Sequence, residues 1–388
     1  MKRTCLIVVI TLLIVVAGCG CAKKQSADDL IIVDVTKSYP KKELILQYFM
    51  EVEYVPLETN DEFVTQGRVL AIGIDIIIVR NRFRDGDIFI FDRKNGTGLR
   101  KINRRGQGGE EYGAVQTIYL DEDENEMFVN DAYDSGKILV YDLYGNFKRS
   151  FKQKEGFLYE FFYAYDRDNL ICNDYRIFID EKRKNETFFI FSKQDGSIVK
   201  QIEIPYQQQK LAKLRVGGMS ISALFFPVIK HNGNWILTSP SSDTIFSYLP
   251  DHTMTPFIVR TPSIHSMTPE VFLFPGVFTN RYYFMESQKM EYDPTIDSPS
   301  LPKKLMYDSH EKMVYEYTVF NNDFNGKTVD MTKRPVNDEV AFWDILEAYQ
   351  LVEAYEKGQL QGRLKEIAAE MDEEDNPVIM IAKHKNSD

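Results

Sequence analysis

Residues 88–102 read Ile-Phe-Ile-Phe-Asp-Arg-Lys-Asn-Gly-Thr-Gly-Leu-Arg-Lys-Ile. A short apolar strand meets a polar turn with glycine, and a second strand returns. The shape recurs from Ile138-Leu-Val-Tyr-Asp142 through Gly145 to Phe151, and again from Phe188-Phe-Ile-Phe-Ser192 through Gly196 to Ile202. Asp92, Asp142 and Ser192 fall at intervals of 50 residues. A fixed period of that size, built from strands and turns, predicts a solenoid, propeller or array in which each repeat buries its faces against its neighbours.

Working outward, more strand pairs appear on either side. Val69–Ile72 and Ile76–Val79, separated by Gly73 and Asp75, read as a hairpin, and so do the apolar runs flanking Asn232-Gly233. Asp243–Tyr248 takes the place of the Phe188–Ser192 strand in a later repeat. Residues 277–286 and 313–320 supply a fifth unit, interrupted by a Pro-, Ser- and Asp-rich surface insertion at 287–305.

Composition agrees with an all-β chain. Of 388 residues, 26 are Phe and 22 Tyr against 2 Trp, and such rings pack well on pleated, half-buried surfaces. The net charge of −11 argues against nucleic-acid partners, which need a basic surface to release counterions.

The N-terminus carries an address. Lys2 and Arg3 precede a short apolar run from Cys5 to Val16, the pattern of a signal peptide rather than a membrane helix. Val16-Ala17-Gly18-Cys19 resembles a bacterial lipobox. That resemblance implies cleavage after Gly18 and lipidation of Cys19, and several acyl chains would hold the protein on a membrane. Loss of Lys2 and Arg3 takes the net charge from −11 to −13. The expected organisation is a signal peptide at 1–18, a lipidated tether at 19–40 and a β-propeller at 41–388. Of the four cysteines, Cys172 lies in an apolar run, and no disulfide framework or metal-ligand spacing is present.

Arg104-Arg105-Gly106-Gln107-Gly108-Gly109-Glu110-Glu111-Tyr112 resembles the linker that opens NHL-type repeats. It is also similar to the Gly-Gln-Gly-Pro-Gly-Glu-Tyr motif of six-bladed β-propeller lipoproteins of the Bacteroidetes. Here Gly109 replaces the proline and Glu110 the next glycine, which leaves the conformation of the loop open. Asn376-Pro377-Val378 with the aliphatic residues after it resembles the last strand of that family. The resemblance implies six blades, closed by pairing this strand with an early one such as 51–57. Between them, Phe342, Ile345, Leu346, Tyr349 and Val352 fall at helical spacing after Asn337 or Asp338, a suitable N-cap. A helical insert is therefore expected over about 337–374, before a closing strand at about 376–384.

Candidate chemistry is sparse. Asp121-Glu-Asp-Glu-Asn125 begins like a calcium loop, but Glu126 and Ala132 occupy its glycine and glutamate positions, so a solvated turn is expected. Arg104, Arg105, Gln107 and Tyr112 are candidates for a ligand-facing loop; the alternative is a plain inter-blade linker needing glycine for its backbone. The five histidines are scattered, no nucleophile elbow occurs, and no catalytic residue or cofactor is assigned. The expected function is that of a non-catalytic binding or scaffolding propeller on the cell envelope. Its lipid would sit in the outer membrane, on the periplasmic or surface face, and its partner would be a protein or glycan. The alternative is an extracellular hydrolase or lyase acting on a glycan or peptide, with carboxylates at the channel.

Overall fold

The computed structural model describes residues 30–134, 136–174 and 185–385. The chain first lays down β1 (Ile31–Asp34), β2 (Lys41–Ile45), the one-turn helix α1 (Leu46–Phe49) and β3 (Met50–Pro56). Three four-stranded antiparallel sheets follow, each in sequence order. Blade one is β4 to β7 (Arg68–Ile72, Ile76–Arg80, Asp87–Asp92, Gly98–Asn103). Blade two is β8 to β11 (Val115–Asp121, Glu126–Asp131, Lys137–Asp142, Phe147–Lys152). Blade three is β12 to β15 (Tyr163–Ala164, Asn169–Asn173, Asn185–Ser192, Ile198–Pro205).

A hairpin, β16–β17 (Lys213–Val216, Met219–Ser222), leads to blade four, β18 to β21 (Val228–His231, Asn234–Leu237, Thr244–Tyr248, Met254–Thr261). Blade five holds β22 (Val271–Phe278), β23 (Tyr282–Lys289), an inserted hairpin β24–β25 (Tyr292–Asp293, Ser298–Pro299), β26 (Lys303–Asp308) and β27 (Met313–Phe320). Blade six holds β28 (Val340–Leu346), the helices α2 (Ala348–Glu356) and α3 (Gly362–Ala368), and β29 (Val378–His384). The molecule is a six-bladed β-propeller.

The 50-residue period has a local cause. Asp92 accepts the amides of Lys94 (2.9 Å) and Asn95 (3.1 Å), Asp142 those of Tyr144 (2.8 Å) and Asn146 (2.9 Å), and the Ser192 hydroxyl that of Gln194 (3.1 Å). Each residue thus seeds the turn between the third and fourth strands of its blade. Gly96 completes the first of these turns at φ +77°, and a Cβ there would lie 1.7 Å from the Pro56 carbonyl. The apolar run before each turn is buried on both faces, because each blade packs between two others. Ile88 and Ile90 join the layer with Tyr112, Ile118 and Met127 of blade two, while Phe89 and Phe91 join Phe63, Ile379 and Ile381 toward blade six. Six such apolar layers, one per blade interface, form the core of the ring.

Closure follows the expected pairing. β29 is antiparallel to β3, Val378 opposite Pro56 through His384 opposite Met50, and antiparallel to β28 on its other side. Asn376 fixes the entry to this strand. Its side chain donates to the carbonyls of Glu58 and Phe63 (2.6 Å each) and accepts the Thr65 amide (2.8 Å).

The N-terminal strands do more than close the ring. β1 runs parallel to β21 on the outer edge of blade four, and β2 runs parallel to β27 on the outer edge of blade five. Residues 31–56 therefore wrap the rim of three successive blades, covering edges that would otherwise expose unpaired backbone groups. This corrects the expected tether, since residues 31–34 belong to the propeller.

The helical insert is shorter than expected. Residues 340–346 are a strand, and the helices begin at Ala348. Asn337 accepts the amides of Glu339 (2.9 Å) and Val340 (2.7 Å), turning the chain into β28 instead of capping a helix. Phe342, Ile345 and Leu346 do fall at helical spacing, but the pairing offered by β29 decides for strand.

Candidate functional site in the central channel

First strands of the blades wall a central channel, and the sixth blade departs from the rule. Arg93, just after β6, contacts both the Gly73 carbonyl at the end of β4 (2.7 Å) and Glu339 just before β28 (3.0 Å). β28 thus starts on the face where the first strands end, and runs opposite to them. It corresponds to a second strand. The inner place is taken by irregular chain around 331–337, docked on blade five through the Val277 amide and Met331 carbonyl (2.8 Å).

A cavity of about 250 Å³ lies in this channel, with walls from all six blades, including Leu70, Ile118, Phe162, Val277, Phe278 and Trp343. Arg334 projects into it from the irregular segment, its guanidinium 4.4 Å from the centre of the Phe161 ring and 5.7 Å from that of Tyr163. Burial is the main reason the Tyr163 phenol is raised above its ordinary pKa, with Arg334 opposing. Burial likewise raises the Glu160 carboxyl, against a hydrogen bond from Gln116 and the charge of Arg334.

Around the mouth, the charged groups tie blades together. Asp121 of blade two pairs with Lys193 of blade three (2.7 Å). Glu122 accepts the amides of Ile74, Asp75 (3.0 Å) and Ile76 (3.1 Å) from the first turn of blade one. Gly73 makes room for that carboxylate, which a Cβ would meet at 2.2 Å. Lys230 of blade four pairs with Asp338 (2.6 Å), and Arg93 of blade one with Glu53 and Glu339 (3.0 Å each). The acidic run 121–125 is thus a turn between β8 and β9, and two of its carboxylates serve as latches between blades.

Two histidines that the sequence leaves far apart meet here. His231 and His384 both line this side of the ring, and His231 stands edge-on to Phe278 (5.4 Å) and Tyr283 (5.1 Å). Burial first, and the nearby His384 second, lower the His231 pKa to about 4. An unfolded histidine titrates near 6.5, so between those values the unfolded chain takes up a proton that the folded one refuses. Stability is therefore full above about pH 6.5 and is lost as pH falls toward 4, by at most about 3 kcal/mol for this group. In His231→Gln, the urea midpoint is expected to fall less than that of the wild type between pH 7 and pH 4.5. An equal fall in both proteins would show that His231 does not carry the effect.

The Gly-rich loop is divided by the fold. Tyr112 is fully buried in the layer between blades one and two, donating to the Gly86 carbonyl (2.7 Å) and accepting the Arg104 amide (2.9 Å); burial pushes its phenol up to about 12. Arg104 turns its Nε to the Gly145 carbonyl (2.8 Å). Both are structural members of the blade linker. Arg105 and Gln107 line a separate shallow groove with Glu111, Asp131, Tyr133 and Lys137. The Gly108 amide already binds Glu111 (2.8 Å), and Asp131 accepts the amides of Gly113 (3.0 Å) and Ala114 (3.2 Å), so the loop's own acids occupy its amides. Cys19 lies outside the described residues. Sequence reading missed Arg334, Tyr163 and Trp343, which sit on separate elements and share no motif.

A solved structure shares this fold. The chain is similar to an exported protein of Bacteroides fragilis whose crystal structure aligns at TM-score 0.61 and 16% identity, covering 92% of this chain and 100% of that one. It also aligns with a member of the DUF4221 family from Bacteroides vulgatus, at TM-score 0.45 and 9% identity, covering 87% of this chain and 98% of that one. Among curated proteins none matches. The family model described as Domain of unknown function (DUF4934) matches residues 30–383, and the chain belongs to that family.

Proposed function

We propose that this chain is a non-catalytic binding protein of the cell envelope, exported by its leader and held on the outer membrane by a lipid on Cys19. Its propeller is the binding body, and the ligand or partner is received at the central channel. The observation that carries this reading is the cavity walled by all six blades, at whose mouth Asp121 and Asp338 are engaged in ion pairs between blades. A hydrolase needs a carboxylate free to exchange a proton with substrate. Asp121, Glu122 and Asp338 are each committed to a latch between blades, which leaves Asp123 and Glu160 as the carboxylates such an activity would use. Export is supported by Val16-Ala17-Gly18-Cys19, and the Bacteroides fragilis protein that shares the fold is itself assigned as exported by name.

The test is crosslinking of the protein in its native envelope, with captured proteins and glycans read by mass spectrometry, beside a Cys19→Ala control. Specific capture by the wild-type propeller, together with release of Cys19→Ala from the membrane fraction, is the expected result. Turnover of envelope polysaccharide or peptide by the purified protein would overturn the binding reading. Retention of Cys19→Ala on the membrane would overturn the anchor.

A further inference from the structure

Several buried or half-buried arginines of this protein pair with carboxylates, whereas Arg100 and Arg334 each rest on an aromatic ring, and of these two only Arg334 lines the channel. Arg93 pairs with Glu53 and Glu339, Arg149 with Glu126, and Arg260 with Asp243. Arg80 has no carboxylate, but it is sealed in the core and donates to the Val115 carbonyl. Arg334 instead stacks on Phe161 inside the channel, and no carboxylate among the described residues lies in an ion pair with it. The polar groups near it are the Glu160 carboxyl, whose pKa burial raises while Gln116 and Arg334 oppose, and the Tyr163 hydroxyl. Tyr163 is 7% exposed, lines the same cavity, and its hydroxyl makes no hydrogen bond of normal geometry.

A buried hydroxyl with no hydrogen bond of normal geometry is costly, and the guanidinium beside it has N–H donors to spare. A guanidinium and a phenol side by side offer N–H and O–H donors to one acceptor group. Part of the wall is apolar, with Phe162, Val277, Phe278 and Trp343 facing the same space, and the acidic turn 121–123, Lys230 and His384 line the rest. Ligand pockets commonly combine apolar wall with a few convergent polar groups that fix orientation.

We propose that the channel binds a small carboxylic acid with an apolar, aromatic-sized body, whose carboxylate is clamped by Arg334 and Tyr163. This inference rests on the channel being the binding site proposed above. The carboxylate accepts from the guanidinium and the phenol, and the body packs against Trp343 and Phe278. A cavity of about 250 Å³ suits a free small acid rather than the end of a polypeptide.

Calorimetric titration of the purified protein with phenylacetate, phenylacetamide and the tripeptide Gly-Gly-Phe tests this. Phenylacetate is expected to bind one to one, with the amide and the tripeptide weaker. Arg334→Gln should weaken phenylacetate about 10- to 100-fold, the scale of a lost charge-assisted hydrogen bond, with Arg334→Lys in between. Tyr163→Phe should weaken it less, and should leave the thermal midpoint unchanged or higher. Acid and amide binding equally, tighter binding of the tripeptide, no binding of phenylacetate, or an Arg334→Gln protein that binds like the wild type would each overturn the assignment. Envelope crosslinking with Arg334→Gln separates the two proposals. A partner still captured by this variant would leave the envelope reading standing when the small-acid assignment has failed.

Discussion

Deleting residues 376–388 is expected to abolish cooperative folding. β29 is the middle strand of blade six, paired on both sides, so its loss opens the ring between blades five and one. Val378, Ile379, Met380 and Ile381 are at most 2% exposed. At about 1.5–3 kcal/mol for each buried side chain, these four contribute about 6–12 kcal/mol, comparable to the whole stability of a typical domain. The deletion also removes Asn376, whose amide group holds the carbonyls of Glu58 and Phe63. The truncated chain should show no sigmoidal urea transition by tyrosine fluorescence or circular dichroism. A synthetic peptide of residues 376–388 should restore the transition by strand addition. A truncated protein that unfolds as cooperatively as the full chain would refute the view that β29 closes the ring.

The second large effect is expected at Asp308. Its side chain is fully buried at the end of β26 and accepts from Lys42 (2.8 Å), from Arg281 (2.7 and 2.9 Å), and from the amides of His310 (3.0 Å) and Glu311 (3.2 Å). Lys42 lies on β2, so this carboxylate also pins the N-terminal wrap to blade five. Burial alone would raise its pKa. The hydrogen bonds from Arg281, Lys42 and the two amides outweigh burial and hold it well below the usual carboxylate range. Asp308→Ala leaves these donors facing a void, and should cost about 3–5 kcal/mol at pH 7.

Asp308→Asn keeps an acceptor for the amides and should cost less. For a depressed carboxylate the sign is definite: its stabilisation is present above the unfolded pKa and is lost as pH falls through the folded one. The gap in urea midpoint between wild type and Asp308→Ala should therefore persist at pH 5 and shrink only below about pH 4. A gap that vanishes by pH 5 would show that the carboxylate is not held in its charged form as described.

Much of this fold was legible in order. The Ile-Phe-Ile-Phe-Asp run, its two echoes and the Asn232-Gly233 turn are local patterns, and each became the strand or turn its chemistry implies; Asn232 and Gly233 both take the positive φ (49° and 74°) that such a hairpin turn requires. The Asn-Pro-Val ending marked the closing strand. What failed was decided elsewhere in the chain. Residues 340–346 could satisfy a helix or a strand by themselves, and only β29, across two helices, offered the partner that made them strand. Residues 31–34 looked like tether because their polar surroundings gave no hint of β21, whose edge they cover.

The candidate site was almost invisible for the same reason. A channel is a property of ring closure: Arg334, the Phe161–Tyr163 stretch and Trp343 come from three separate segments, with no spacing to relate them. The loop that did carry a motif, 104–112, spends Tyr112 and Arg104 on packing between blades. By itself, then, the sequence determined the repeat, the turn chemistry and the closing strand, because continuous apolar strand runs and side-chain-seeded turns act over a few residues. Only the tertiary structure decided which edges the N-terminus wraps, which acids become latches, and which cation is laid against an aromatic ring in the channel. Those outcomes depend on pairings across the ring that no local pattern encodes.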